Sequence, residues 1–368
     1  MKLGRLLGLS VALLSWCAAV QAQILIGQTV GVTGAVAATV KESSTGAMLY
    51  IDAVNAKGGV HGDKIEILTL DDKFDTKLTA ANARELIEVR RVVALFMSRG
   101  TPHTEGIIPI LEQHGVPLIG PSTGAMVLHQ PVRPQVFNVR ATYQREAEKT
   151  VAHLASIGIT RMAVIHVDDT FGADGLEGAR NGLAAAKLTA VAIEKFNRSK
   201  PDFSDIVPRV VKTEAQAIMI IGSGTAVVDG IKALKAAGSG AQLVTLSNNA
   251  SSGFVKLLGE HARGVIVSQV LPQSFGYTLV KEATQLAKAR GIADLSPAML
   301  EGYATAKVLV EALRRSGPKP TRERLHAALE AMQNYDLGGL SISFSPSDHT
   351  GLEFADLSII DADGKFRR

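Results

Sequence analysis

The chain has 368 residues, with 39 lysines and arginines against 35 aspartates and glutamates, a formal charge of +4, and 5% aromatic residues. No basic run is interleaved with aromatics, which argues against a nucleic-acid platform. Beyond the first 22 residues no apolar stretch reaches the ~20 needed to span a bilayer as a helix, and the length suggests about two domains at ~150 residues each.

Residues 1–22 carry Lys2 and Arg5, the apolar run LLGLSVALLSWCAAV, and Val20-Gln21-Ala22 with small residues where a signal peptidase reads. This predicts a secretory signal peptide, a mature chain from Gln23, and a periplasmic location. A lipoprotein leader would acylate Cys17, but Trp16 stands where that signal wants Gly or Ala. Cys17 is the only cysteine, so the exported chain is expected to hold together without a disulfide.

Short β-branched runs then alternate with amphipathic segments. Strands are predicted at 24–30, 64–70, 92–97 and 117–120, with helices at 43–56, 77–91 and 104–114 between them. VFNVR (136–140) leads to a helix at 143–157, and a second series follows. Its strands are 161–167, AVAIEKF, AIMIIGS, QLVTLS and GVIVSQV, and its helices are 174–186, 206–212, 226–236 and 254–261. Helices at 277–289, 297–315 and 321–332 and two strands, LSISFS and FADLSII, should return to complete the two sheets. Such alternation means α/β lobes with doubly wound parallel sheets. The expected division is 23–141 plus 272–335 for an N-terminal lobe and 142–271 plus 336–368 for a C-terminal lobe. Ligands bind outside the carboxyl ends of the strands in such sheets, so facing strand ends would enclose a hinged cleft.

Gly120-Pro121-Ser122-Thr123-Gly124 fits G-x-S-x-G, the nucleophile elbow of α/β-hydrolases. An elbow needs a long helix behind it, and Pro131 and Pro134 limit any helix here to about two turns; no HGGG oxyanion run exists. A binding role suits the loop better, because Ser122 and Thr123 offer hydroxyls and Gly124 permits close approach. Ser98, Arg99, Gly100 and Thr101 leave the preceding strand for a helix whose free N–H groups favour an anion. Capping by Ser and Thr is the plainer alternative. Ser223 and Gly224, then Ser247, Asn248 and Asn249, end the next strands and should face the cleft. No metal spacing, calcium loop, P-loop or dinucleotide fingerprint is present, so no cofactor is expected. Asp71, Asp72 and Asp75 read as a turn and a helix cap.

Asn55-Ala56-Lys57-Gly58-Gly59-Val60-His61-Gly62, Asp71-Asp72 with Asp75, Gly115-Val116-Pro117 leading to Pro121-Ser122, and Phe171-Gly172 after a strand occur in this order behind a leader. In these the chain resembles the type I periplasmic binding proteins of the leucine/isoleucine/valine-binding class, solute receptors of ABC importers. The resemblance covers nearly all of the mature sequence. It implies a two-lobed monomeric receptor, not an enzyme, that closes on a small carboxylate-bearing ligand and presents it to permease subunits in the inner membrane. It places Thr101, Ser122 and Gly124 at the ligand carboxylate and Phe171 against the solute. A sensory module using the same cleft, or an exported hydrolase using Ser122, are the alternatives. Family members pair the α-ammonium of an amino acid with an acid after the strand matching QLVTL, where this chain has Ser247-Asn248-Asn249, and Thr39 and Ser223 or Gly224 stand near family tyrosines. An aromatic or keto acid is therefore expected as ligand, unless Asp168 or Asp169 reaches in to hold an amino acid.

Overall fold

The computed structural model describes residues 23–368, and the expected signal peptide lies outside them. The first sheet takes β1 (Gln23–Val30), β2 (Lys64–Asp71), β3 (Ala94–Phe96), β4 (Leu118–Ile119) and β5 (Val136–Phe137) in the order β2-β1-β3-β4-β5, all parallel. It is layered with α1 (Ala37–Ala56), α2 (Thr76–Arg84), which runs on as a π-helical turn to Val89, and α3 (Thr101–His114). β3 and β4 are buried throughout, as strands covered on both faces must be.

The second sheet runs β14-β13-β10-β9-β8-β6-β7. Its parallel part is β6 (Met162–Val167), β7 (Ala192–Phe196), β8 (Ala217–Ile221), β9 (Gln242–Thr245) and β10 (Ile266–Gln269), wrapped by α4 (Tyr143–Ser156), α5 (Thr170–Ala185), α6 (Ile206–Lys212), α7 (Thr225–Ala236) and α8 (Ser252–Leu258). The chain then returns to the first lobe through α9 (Thr278–Ala289), α10 (Pro297–Arg315), α11 (Arg322–Glu330) and the ribbon of β11 (Tyr335–Asp336) with β12 (Ser341–Ile342). It crosses back to add β13 (Asp356–Ile360) and β14 (Phe366–Arg367) antiparallel to β10. Three crossings, near residues 140, 271 and 354, thus join the lobes.

Four expectations change. LSISFS does not extend the first sheet: Asp336 Oδ1 accepts from Gly338 and Gly339 N–H, and that turn folds β12 back on β11. Leu337, Ile342, Phe344 and Leu352 pack into the first-lobe core, so the expected boundary at 335/336 moves to the last crossing. α1 starts six residues before 43, because burial of Thr39 and Val40 outweighs their weak helix propensity. α5 starts at Thr170 rather than 174, since Asp169 caps it by accepting from Phe171 and Gly172 N–H. Asp75 caps α2 in the same way, as expected.

α1 and α10 touch backbone to backbone. A Cβ on Gly46 would fall 1.9 Å from the Met299 carbonyl oxygen, and one on Gly302 would fall 1.9 Å from that of Ser43. This contact seats α10, and with it Glu301, at the floor between the lobes.

Candidate functional site

The loops leaving β3 and β4 continue the parallel pairing of their strands: Ser122 N–H donates to the Ser98 carbonyl at 2.7 Å, and Arg99 bridges Ser122. Gly100 turns the first loop with φ +89, and Thr101 opens α3 behind it. Thr101 and Thr123 hydroxyls lie 2.7 Å apart and those of Ser98 and Thr104 3.0 Å apart, all buried. The first pair ties the two loops to each other, and the second braces the β3 loop against the start of α3. Gly124 is glycine for a different reason from the one expected, because a Cβ there would stand 2.5 Å from the carbonyl of Ala141 in the first crossing.

Arg99 joins the two lobes. Its guanidinium, 3% exposed, donates through NH1 to Ser122 Oγ at 3.1 Å and through NH2 to the Asn248 carbonyl at 2.5 Å. The Ser122 hydroxyl in turn donates to Glu301 Oε1 at 3.1 Å. Burial lowers the Arg99 pKa, with Tyr143 and Glu301 opposing. Arg99 Nε is buried without a hydrogen-bond partner, and no carboxylate of the described residues forms an ion pair with Arg99.

Arg140, from the first crossing, is the opposite case. It bonds Glu146 directly, donates to Ser247 Oγ at 2.6 Å, and stands 3.7 Å from Glu301. Burial alone would lower its pKa, but Glu146 and Glu301 outweigh that and raise it. Glu146 also accepts from Ser247 N–H at 3.0 Å and from the Ser268 hydroxyl. The Arg140 guanidinium lies 4.6 Å from the Tyr143 ring centroid, and Tyr143 packs on Phe171 with centroids 4.6 Å apart.

Of the expected second-lobe residues, Ser247, Asn248 and Asn249 form one 3-10 turn after β9. Asn248 Nδ2 donates to the Gly222 carbonyl and Ser223 Oγ, while its Oδ1 is buried without a partner. Asn249 ties the turn to Gly222 and Gly224, a structural duty. Ser98, Arg99, Gly100, Thr101, Ser122, Thr123, Ser247 and Asn248 are thus brought together, with Ser223 at the edge. Phe171 does not lie on a loop: it sits in the first turn of α5, 2% exposed, within the second-lobe core. Asp168 and Asp169 do not reach the cleft centre, because Asp168 pairs with Lys195 and Asp169 with Arg198. Thr39 lies on α1 at the lip. Reading the sequence missed Arg140, Glu146 and Glu301; the signal was a lone acid on an otherwise apolar helix face, as in PAMLEGYATAKVLV.

The lips meet. Thr225 N–H donates to the Ala35 carbonyl, Thr39 and Ser251 hydroxyls are 2.9 Å apart, and Glu42 accepts from Ser252 and Gly253 N–H at 3.0 and 2.7 Å. On the other flank Thr170 donates to Glu105, and Arg198 lies over Phe74, which stacks on His103. Burial lowers His103 to about 4, so it is neutral there. Ser122, the candidate nucleophile, has Arg99 and Glu301 as partners rather than a histidine, and only a 3-10 turn (Met126–Leu128) follows its loop.

Comparison with known proteins agrees with this architecture. A substrate-binding periplasmic protein from Ralstonia solanacearum is 30% identical, with a TM-score of 0.86 over 94% of this chain and 99% of that one. The Leu/Ile/Val-binding protein of Escherichia coli is 25% identical over 64% of this chain, the match spanning 65% of that protein's length. A Leu/Ile/Val-binding protein homolog from Brucella suis is 26% identical over 84% of this chain and 82% of its own. Residues 23–365, which hold both α/β lobes, match the periplasmic binding protein family: the chain belongs to the periplasmic binding protein family.

Proposed function

We propose that this protein is an extracytoplasmic solute receptor for an ABC importer, holding a small carboxylate-bearing ligand, whether amino acid, aromatic acid or keto acid, between its lobes. The observation that carries the reading is Arg99, a buried guanidinium bonded to Ser122 of one lobe and the Asn248 carbonyl of the other. A ligand carboxylate at this point would gain charge-assisted hydrogen bonds and favour closure at once. The names of the relatives, Leu/Ile/Val-binding proteins, support a receptor of this kind. The protein works as a monomer with membrane permease subunits, exported by the leader at 1–22.

Mass spectrometry of whatever co-purifies, followed by thermal shift across small carboxylates, tests the reading. A ligand at 100 times its Kd adds about 2.7 kcal/mol to stability, and its saturation should reduce the radius of gyration. Turnover of a bound ligand that is lost in Ser122→Ala would instead make the protein a hydrolase, and a ligand response without transport would make it a sensory module.

A further inference from the structure

Charges in the cleft centre divide unevenly. Two arginines and two glutamates are buried there, and both glutamates face Arg140. Glu146 is fully occupied by Arg140, Ser247 N–H and Ser268. Glu301 accepts from the Ser122 hydroxyl and stands 3.7 Å from Arg140 NH1, so a ligand ammonium placed on it would meet a like charge. Among the described residues no carboxylate pairs directly with Arg99, Glu301 being reached only through Ser122 Oγ, and the buried Arg99 Nε has no hydrogen-bond partner.

We propose that the solute is an organic acid without an ammonium group, its carboxylate paired with the Arg99 guanidinium. This rests on the receptor reading above and narrows it. A buried cation without a counter-charge is strongly disfavoured, and an anionic ligand supplies one. An amino acid brings a second cation for which the cleft centre has no uncommitted carboxylate. One other acid lies half-buried at the seam: Asp174 accepts from Met126 N–H and Gln144, and its buried Oδ2 has no donor. Burial pushes that carboxyl up to about 6, an environment that resists charge. The Asn248 Oδ1, also buried without a donor, suits a ligand hydroxyl.

Calorimetry with matched compounds decides: leucine, 4-methyl-2-oxopentanoate and 4-methylpentanoate, then phenylalanine, phenylpyruvate and 3-phenylpropanoate. At least one deaminated acid should bind about 100-fold or more tightly than its amino counterpart. Arg99→Gln should weaken that binding about tenfold or more, and Arg99→Lys, which keeps the charge but not the fork, should recover part of it. Asp174→Asn should leave it unchanged. An amino acid bound as tightly as its deaminated partner, above all if Asp174→Asn abolishes it, overturns the inference and leaves the receptor reading intact. No binding by any of the six overturns both. An Arg99→Gln variant that folds, as circular dichroism reads, and binds like the parent also refutes it.

Discussion

Replacing Glu146 by glutamine removes the charge that balances Arg140 while keeping the shape. Both residues are buried, Glu146 fully. The carboxylate accepts from Arg140 on one oxygen and from Ser247 N–H and Ser268 on the other. A glutamine must turn its NH2 toward one of these sets, and either way a donor faces a donor: Arg140 NH2 or Ser247 N–H. The Ser268 hydroxyl can rotate to accept; a peptide N–H cannot. Breaking a buried ion pair by removing one partner costs about 3–5 kcal/mol. Glu301, 3.7 Å from Arg140, keeps part of the compensation, which places the expected loss near the lower end, about 3 kcal/mol. Against a total of about 5–15 kcal/mol this is large. Urea unfolding at pH 7 followed by circular dichroism should show it as a lower midpoint at unchanged slope. The double replacement Arg140→Met with Glu146→Leu removes both charges and should be more stable than the single variant. A loss below about 1 kcal/mol for Glu146→Gln would refute the reasoning, since Arg140 would then not depend on Glu146.

Gly224→Ala should prevent full closure, because its Cβ would fall 1.9 Å from the Ala35 carbonyl across the cleft; scattering should show a radius of gyration larger than that of the parent, and equal radii would sink the argument. Glu42→Gln, which removes the charge facing the Ser252 and Gly253 N–H groups across the lip, should shift the unliganded protein toward the open form, read as a longer distance between spin labels on α2 and β7; the absence of cysteine from Gln23 onward makes the labelling selective. Asp174→Asn should alter the dependence of stability on pH. Burial raises the folded carboxyl to about 6, against about 4 in the unfolded chain. Because the folded protein holds a proton that the unfolded chain gives up, stability falls as pH rises from ~4 to ~6 and stays lower above that. The asparagine variant, which keeps the acceptor for Met126 and Gln144, should therefore be more stable than the parent at pH 8 by about 2–3 kcal/mol, with the gap closing near pH 4; thermal denaturation at the two pH values checks the sign, and a less stable variant at pH 8 refutes it.

The alternation of strands and helices was legible because the buried strands are short apolar runs, rich in β-branched residues in β1, β6 and β8, and most helices keep a polar face. Arg99, Ser122, Ser247 and Asn248 could be found for a related reason: they stand among the first one or two polar residues after such runs. Glu146 and Glu301 could not be found this way. Each sits on the buried stripe of a helix, where a single acid is indistinguishable by spacing from one at the helix edge, and only the partner arginine from a distant crossing gives it meaning. Phe171 was expected ahead of a helix starting at 174, whereas Asp169 caps α5 and the helix begins at the next residue, which turns Phe171 into the core. LSISFS looked like a closing strand, and it does pair as one. Its partner was decided by a two-glycine turn that leaves it no reach toward the first sheet.

The glycine contact between α1 and α10 has a mechanical consequence. Side chains ordinarily act as a compressible layer between helices, and here that layer is missing at Gly46 and Gly302. α1 carries Thr39 and Glu42, which grip the opposite lobe, and α10 carries Glu301 beside Ser122. With peptide planes in direct contact, a displacement at one end reaches the other undamped. Gripping the far lobe and sensing the cleft floor are therefore duties of one stiff beam, so the floor takes its working position only as the lip does.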